Sequence, residues 1–295
     1  MIAVDWGTTR LRAYRLDADG AVLERRDGGE GALSCAGRHA QALAALIAGW
    51  DDGAIVLCGM VGARGGWREV PYVDCPADAV QLAAALLPLQ DEDLPDRKLW
   101  LVPGMADHTR SVPDVMRGEE TQVAGLLDTL DAGEHTVCLP GTHSKWVRVE
   151  SGRITSIATA MTGELFALLR THSTLGRLME SAQHDRFDAA AFDDGLARSA
   201  QPGGFSHHLF GVRSLGLFGR WPDEALPSYL SGLLIGHEVR ALAASSSAPV
   251  HLLGGDALVD AYARALAALG IASIRHAETL GATGMHRLVR LRGIA

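Results

Sequence analysis

The sequence has none of the paired cysteines that build zinc or redox centres. Its four, Cys35, Cys58, Cys75 and Cys138, are scattered without a Cys-x-x-Cys spacing. Scattered thiols in a 295-residue chain fit a reducing compartment, so the cytoplasm is the expected location. Positive charge is also scarce. The 27 Lys+Arg against 35 Asp+Glu leave a net charge of −8, which argues against nucleic acid as a main partner. An anionic small molecule is still allowed, because a few local arginines outweigh the global field. No apolar run approaches the ~20 residues needed to span a bilayer, so no membrane partner is expected. The N-terminus lacks a basic region and Asp5 interrupts its apolar start, so no signal peptide is read there. No low-complexity linker divides the chain. Hydrophobic content of 47% and charged content of 21% suit an ordinary globular protein of one large domain or two moderate lobes.

What is present begins at the first residues. Ile2-Ala3-Val4-Asp5-Trp6 is an apolar run carrying one carboxylate, and Gly7-Thr8-Thr9-Arg10 turns the chain. Leu11 to Leu16 reads as a second strand, Asp17-Ala18-Asp19-Gly20 as a turn, and Ala21 to Arg26 as a third strand. Glycine in the first turn lets backbone N–H groups approach a ligand, and the threonine hydroxyls add donors. Asp5 is placed to hold a hydrated divalent metal. Taken alone, the stretch reads better as a polar turn in an ordinary antiparallel meander.

The pattern then recurs. Thr136 to Leu139 is another apolar run, followed by Pro140-Gly141-Thr142-His143-Ser144-Lys145, a strand at Trp146 to Val149, a turn, and a strand from Ile154 to Ala160. A helical segment follows each third strand. Two Gly-Thr turns in two similar units predict a duplicated architecture. Two loops rich in N–H and hydroxyl donors are what a polyphosphate needs.

Other stretches carry candidates. The loop from Cys58 to Tyr72 holds four glycines, Arg64, Arg68, Trp67 and Tyr72, and its arginines suit a carboxylate. A surface loop with solvated arginines is the structural alternative. Ala77 to Leu87 reads as a helix ended by Pro88, and Thr171 to Arg186 is hard to place. Asp107 stands just past the strand from Lys98 to Val102, where ligands collect in α/β sheets. Gly118-Glu119-Glu120 opens a helix, where acids are ordinary capping chemistry or supply a general base. His207-His208 read as structural. Leu226 to Ala244 is a long helix. Pro249 to Leu253 is a buried strand running into Gly254-Gly255-Asp256, a turn that suits an adenine or ribose against backbone or simply tight packing.

Asp-Trp-Gly-Thr-Thr, Pro-Gly-Thr-His-Ser-Lys-Trp and Leu-Leu-Gly-Gly-Asp stand in the order of the first phosphate, second phosphate and adenosine motifs of the sugar kinase, heat-shock protein and actin superfamily, which the chain resembles. Within it the chain is most similar to the 2-dehydro-3-deoxygalactonokinases. That closer likeness lies in Cys58-Gly59-Met60-Val61-Gly62, Pro71-Tyr72, Cys75-Pro76, Met116 to Gln122 and Leu139 to Trp146. The absence of zinc-binding cysteine clusters separates it from one neighbouring sugar-kinase group.

The resemblance implies an α/β, two-lobed actin-like ATPase (ribonuclease H-like) fold, with a duplicated mixed β-sheet, flanking helices and a central cleft. The expected N-terminal lobe is residues 1–117, with the first phosphate motif and the sugar-acid loop. The expected C-terminal lobe is residues 118–281, with the second phosphate motif and the adenosine motif, and the C-terminal helix 282–295 packs back on the first. The implied reaction uses ATP and Mg2+ to phosphorylate the 6-hydroxyl of 2-dehydro-3-deoxy-D-galactonate in galactonate breakdown. Asp5 would orient the magnesium. Gly7, Thr8, Thr9, Arg10, Gly141, Thr142, His143 and Ser144 would cradle phosphates, with Lys145 or Arg10 neutralising charge. Gly254, Gly255 and Asp256 would face the nucleoside. Arg64 and Arg68 would hold the sugar-acid carboxylate between Trp6 and Trp67, with Asp107 nearby. In related glycerol and xylulose kinases an Asp follows a Gly at the corresponding helix start. Glu119 holds that place here, with Glu120 beside it and Asp107 as the alternatives. A kinase for another sugar acid, such as 2-dehydro-3-deoxygluconate, is the nearest rival, ahead of a non-catalytic nucleotide switch. The expected partner is a small molecule, with a homodimer the assembly left open.

Overall fold

The computed structural model describes residues 1–179, 186–243 and 248–294. The expected difficulty in the segment Thr171 to Arg186 therefore lies partly outside the described residues, as does the final residue expected for the long helix, Ala244. By their contacts, residues fall into two compact units. One is Met1–Glu134, Val147–Ile157 and Ala277–Ala295, and the other is His135–Trp146 and Ala158–His276.

The chain opens with strands β1 (Ile2–Trp6), β2 (Leu11–Leu16) and β3 (Val22–Gly28), then helix α1 (His39–Leu46) and β4 (Ala54–Gly59). Next come β5 (Val73–Asp74), α2 (Ala79–Ala84), β6 (Leu87–Leu89), β7 (Lys98–Leu101), β8 (Met105–Asp107), β9 (Asp114–Met116) and α3 (Glu119–Leu126). The second echo is β10 (Glu134–Leu139), β11 (Ser144–Glu150), β12 (Arg153–Ala160) and α4 (Thr162–His172). Helices α5 (Ala189–Arg198), α6 (Phe205–Leu217) and α7 (Leu226–Leu242) follow, then β13 (Val250–Leu252), α8 (Asp256–Ala268), β14 (Ser273–Arg275) and α9 (Leu280–Arg292).

The duplication is explicit in the sheets. The first runs β3-β2-β1-β4-β7-β6 and the second β12-β11-β10-β13-β14. Apart from the added edge strand β6, both follow one order: third, second, first, fourth, fifth. In the first, β1 is antiparallel to β2 and parallel to β4, which is parallel to β7. In the second, β10, β13 and β14 are parallel in turn. The sequence explains the placement. In β1, Ile2, Ala3, Val4 and Trp6 are all buried, as a central strand covered on both faces requires. In β3 the run Glu24-Arg25-Arg26-Asp27 is largely exposed, and charge there protects a sheet edge.

The helix expected over Ala77 to Leu87 is shorter. It starts at a capping box between Asp78 and Gln81, and Leu87–Leu89 leaves it to pair as an edge strand that tolerates Pro88. The expected lobe boundary at residues 117/118 falls inside the first unit, because α3 packs on α9. Gly125 and Gly284 let those two backbones meet: a β-carbon on Gly284 would lie 1.8 Å from the Thr121 carbonyl oxygen. In the second unit α7 is buried along most of its length, as its all-round apolar sequence dictates.

Candidate active site

In the first unit the sheet delivers Asp5 to the C-terminal end of β1, and the backbone then folds tightly. The N–H of Gly7 donates to the Arg10 carbonyl at 2.9 Å, leaving Thr8, Thr9 and Arg10 exposed. The segment Glu30–Ala32 braces this turn from behind. Ala32 N–H donates to the Gly7 carbonyl at 3.0 Å, Trp6 Nε1 donates to the Glu30 carbonyl at 3.0 Å, and His39 Nε2 is 2.8 Å from the Ala32 carbonyl. Gly31 lies against the turn itself: a β-carbon there would sit 1.7 Å from the Thr8 carbonyl oxygen. No sequence argument singled out Gly31. Its signal was the Gly28-Gly29-Glu30-Gly31 run at the end of the third strand.

The Asp5 carboxylate is 3.7 Å from the Arg12 guanidinium, which is also 3.1 Å from Glu278. Crowding by the surrounding protein raises its pKa, with Arg12 opposing the shift and Glu278 adding to it. Asp5 is paired in register with Cys58 of β4, whose thiol accepts from Thr121 Oγ1 at 3.7 Å. That contact brings the start of α3 to the ends of β1 and β4. Gly118 precedes the helix, and Glu119 Oε2 accepts from the Arg117 N–H at 3.1 Å. Glu120 is fully buried; its Oε2 accepts from the Gly118 N–H at 2.7 Å and its Oε1 has no hydrogen-bond partner.

Three residues expected to touch substrate are committed elsewhere. Trp6 is fully buried and meets His39 and Trp67 edge-on, with ring centroids 5.4 and 6.3 Å away. It is core, not an open wall. Trp67 stacks on His39 at 5.7 Å and donates to Asp91 at 3.1 Å. Asp107 is buried within β8 and accepts from Thr109 N–H at 2.8 Å, Thr109 Oγ1 at 2.6 Å and Ile157 N–H at 2.8 Å. Burial pushes its carboxyl up, but those bonds outweigh it and the net shift is downward, as for a structural tie. Arg64 and Arg68 remain exposed on their loop.

In the second unit the echoing turn exposes Thr142 and His143, and His143 Nε2 pairs with Glu164 Oε2. Gly163 braces this turn, since a β-carbon there would lie 2.4 Å from the Gly141 carbonyl oxygen. Ser144 and Lys145 do not belong to the turn; they begin β11. Ser144 is fully buried with Oγ 2.7 Å from Tyr262 Oη. Tyr262 donates to Glu238 at 2.8 Å, and Trp146 and Thr162 donate to the same carboxylate. Burial raises the Glu238 pKa although its bonds with Thr162, Trp146, Tyr262 and Ser144 oppose the rise. Lys145 is buried and its Nζ donates to Thr159 Oγ1 at 2.9 Å. Gly254 and Gly255 connect β13 to α8, which Asp256 opens with its side chain exposed.

Among the described residues no three His, Cys, Asp or Glu side chains cluster as a metal site. A magnesium ion carried by phosphates needs only one or two carboxylates and keeps several waters. Asp5 fits that requirement: it is an oxygen donor whose charge Arg12 compensates only from 3.7 Å.

Two sheets of one order, each with an exposed Gly-Thr turn, define the actin-like ATPase fold. Solved structures 11–14% identical to the chain, with TM-scores of 0.51–0.54, share that fold alone, and one of them holds ADPNP. The 2-keto-3-deoxy-galactonokinase family matches residues 5–288, and the chain belongs to that family. The "Probable 2-dehydro-3-deoxygalactonokinase DgoK1" of Rhizobium meliloti (strain 1021) is 39% identical over 276 residues, covering 91% of this chain and 89% of the relative. The 2-dehydro-3-deoxygalactonokinase of Escherichia coli (strain K12) is 34% identical over 274 residues, covering 91% and 90%. A crystal structure from Sinorhizobium meliloti bearing the same kinase name superposes with a TM-score of 0.87 at 36% identity over 98% of each chain. Among the described residues no helix is long and apolar enough to cross a membrane.

Proposed function

We propose that the chain transfers the γ-phosphoryl group of ATP to the 6-hydroxyl of 2-dehydro-3-deoxy-D-galactonate, in the cytoplasm, as a step of galactonate breakdown. The observation that carries this reading is the joining of Asp5, the exposed Gly7–Arg10 turn and the Glu119 helix start at one end of the first sheet. Magnesium-bound ATP supplies the phosphoryl group and a cation that Asp5 would hold. The N–H groups and hydroxyls of Gly7 to Arg10 hold phosphate oxygens, as do those of Gly141 to His143. Arg10, exposed at the turn, neutralises charge that develops on the transferred group; Lys145, bonded to Thr159, is the weaker candidate. Gly254, Gly255 and Asp256 border the nucleoside. Glu119 accepts the proton of the 6-hydroxyl as that hydroxyl's oxygen bonds to the γ-phosphorus and ADP leaves with the bridging oxygen, and exposed Arg64 and Arg68 meet the substrate carboxylate.

Changing Glu119 to Gln should lower kcat by about 10²-fold or more while ATP binding persists. A variant with unchanged turnover would remove Glu119 from the mechanism. An ATP-consumption assay across sugar acids tests the substrate, with the galacto acid expected to exceed the gluco epimer in kcat/KM. Turnover of neutral hexoses alone would overturn the substrate class.

A further inference from the structure

Glu120 has no task in the transfer, yet it is among the most enclosed acids of the first unit. None of its surface is accessible, and one carboxyl oxygen is enclosed without a partner. Among the described residues no cation forms an ion pair with it. Of the groups around it, Arg117 favours the ionised form by its charge, less than burial opposes it, and forms no ion pair with it. On its own side stand Glu119 and Arg117. The Arg117 guanidinium donates to the Val70 carbonyl at 2.8 Å and lies over the Tyr72 ring at 4.3 Å. From the sheet come the Cys58 thiol and, beside it in register, Asp5. Helix α9 presents Gly281 and Gly284 to α3, and its Arg287 donates to the Ala124 carbonyl at 2.7 Å and pairs with Asp128. A buried carboxylate without a counter-ion is strongly disfavoured, whereas a neutral acid in the same place is tolerable.

The bond that Glu120 does make is with a special turn. Gly118 has φ +111°, and a β-carbon there would lie 3.3 Å from the Gly59 Cα. Glu120 Oε2 holds the Gly118 N–H in this conformation, and the next residue is Glu119.

We propose that Glu120 is a positioning residue that serves as an uncharged carboxylic acid: it fixes the Gly118 turn that presents Glu119, and it keeps a third negative charge away from Asp5 and Glu119. This rests on the reading of Glu119 as the base. A third charge here would oppose a phosphate-bearing ligand and perturb the base itself. Burial, then the neighbouring Glu119, pushes the Glu120 pKa up to about 8, in accord with the geometry.

Two measurements on the full chain test this. The first is thermal unfolding of wild type and E120Q across about pH 5 to 9. A carboxyl whose folded pKa exceeds its unfolded value of ~4.3 stabilises the fold at low pH and loses that contribution as pH rises to the folded pKa. The amide has no proton to lose, so the Tm of E120Q minus that of wild type should climb with pH and level off above about 8. A flat difference, or an E120Q that does not fold where wild type does, overturns the proposal. The second is kinetics. E120Q should keep kcat within about threefold and retain the limb of the pH–rate profile that belongs to Glu119, while E120A lowers kcat tenfold or more with a smaller change in the KM for ATP. Loss of about 10²-fold in E120Q with activity kept in E119Q would make Glu120 the base and overturn the positioning role. Failure on the sugar acid with a climbing Tm difference would instead count against the proposed substrate, leaving the neutral Glu120 standing.

Discussion

The two Gly-Thr turns share a sequence pattern and part ways in structure. After Gly7, three residues precede strand β2 at Leu11; after Gly141, only two precede β11 at Ser144. The second turn is therefore one residue shorter, and Ser144 takes the buried strand position that Leu11 fills in the first. That single step sends the Ser144 hydroxyl to Tyr262 and Lys145 to Thr159, while Thr8, Thr9 and Arg10 all stay exposed. What the turns keep in common is backbone: each is braced by a glycine from another segment, Gly31 or Gly163. Duplication has preserved a rigid N–H-bearing turn and let the side chains around it diverge. On the proposed reading the first turn, with the Asp5 carboxylate beside it, carries more of the chemistry.

The brace offers the most forceful way to break that comparison. Gly31→Ala drives a β-carbon into the Thr8 carbonyl, where the ideal separation is 1.7 Å, and neither partner is a flexible side-chain end. The turn must move. A displacement of about 1 Å at a positioning loop can cost ~10²-fold, so kcat/KM for ATP should fall by about that much in G31A. Gly163→Ala meets the Gly141 carbonyl at 2.4 Å and should cost nearer tenfold. Steady-state kinetics on both variants, with folding checked by circular dichroism, decide it. An equal or reversed order would mean that the second turn matters as much as the first.

The sequence made the backbone plan legible because that plan is local. Apolar runs of strand length, Gly-Thr turns, Asp-Gly punctuation and the Gly-Gly-Asp helix start are all short-range signals, and their repetition exposed the duplicated sheet. The destinations of side chains were not local. Ser144 is fixed by Tyr262 118 residues away, and Trp146 by Glu238 92 residues away. Asp107 looked like a ligand-collecting residue past a strand end, but its partner Ile157 lies 50 residues on. Trp6 was read as an apolar wall of the substrate site, yet a central strand covered on both faces and the packing of His39 and Trp67 bury it. Glu119 and Glu120 could be separated only by burial, which depends on how α3 meets β4 and α9.

A smaller effect separates the hydroxyls of the two turns. Ser144→Ala removes one bond from the buried Tyr262–Glu238 network, and such a loss costs about 1–2 kcal/mol of stability. The KM for ATP should change by less than about twofold, because the hydroxyl does not reach the surface. Thr8→Ala should do the reverse, raising that KM about five- to tenfold with an unchanged melting temperature. Thermal unfolding and kinetics on the same preparations make the contrast. A Ser144→Ala enzyme with full stability and weakened ATP binding would put Ser144 back among the phosphate donors.

The smallest effect sharpens the contrast between the units through their buried titrating groups. The first unit holds Glu120, a fully buried acid whose raised pKa weakens the fold as pH rises. The second holds His251, whose Nδ1 is 2.9 Å from His276 Nε2 and whose ring meets His135 edge-on at 5.4 Å. Burial, then the neighbouring His276 and His135, lowers the His251 pKa from 6.5 to about 4. A histidine kept neutral by the fold contributes stability that is complete above its unfolded pKa and is lost as pH falls through the folded one. Wild type should therefore lose melting temperature between about pH 6.5 and pH 4, and His251→Leu should flatten that acid limb while leaving the alkaline limb and neutral-pH turnover as they were. If His251→Leu moved the alkaline limb instead, the pH response could not be divided between the two units in this way. Because the turn at Gly141 is braced by Gly163 and not by the histidines, the acid limb can be removed without touching the chemistry.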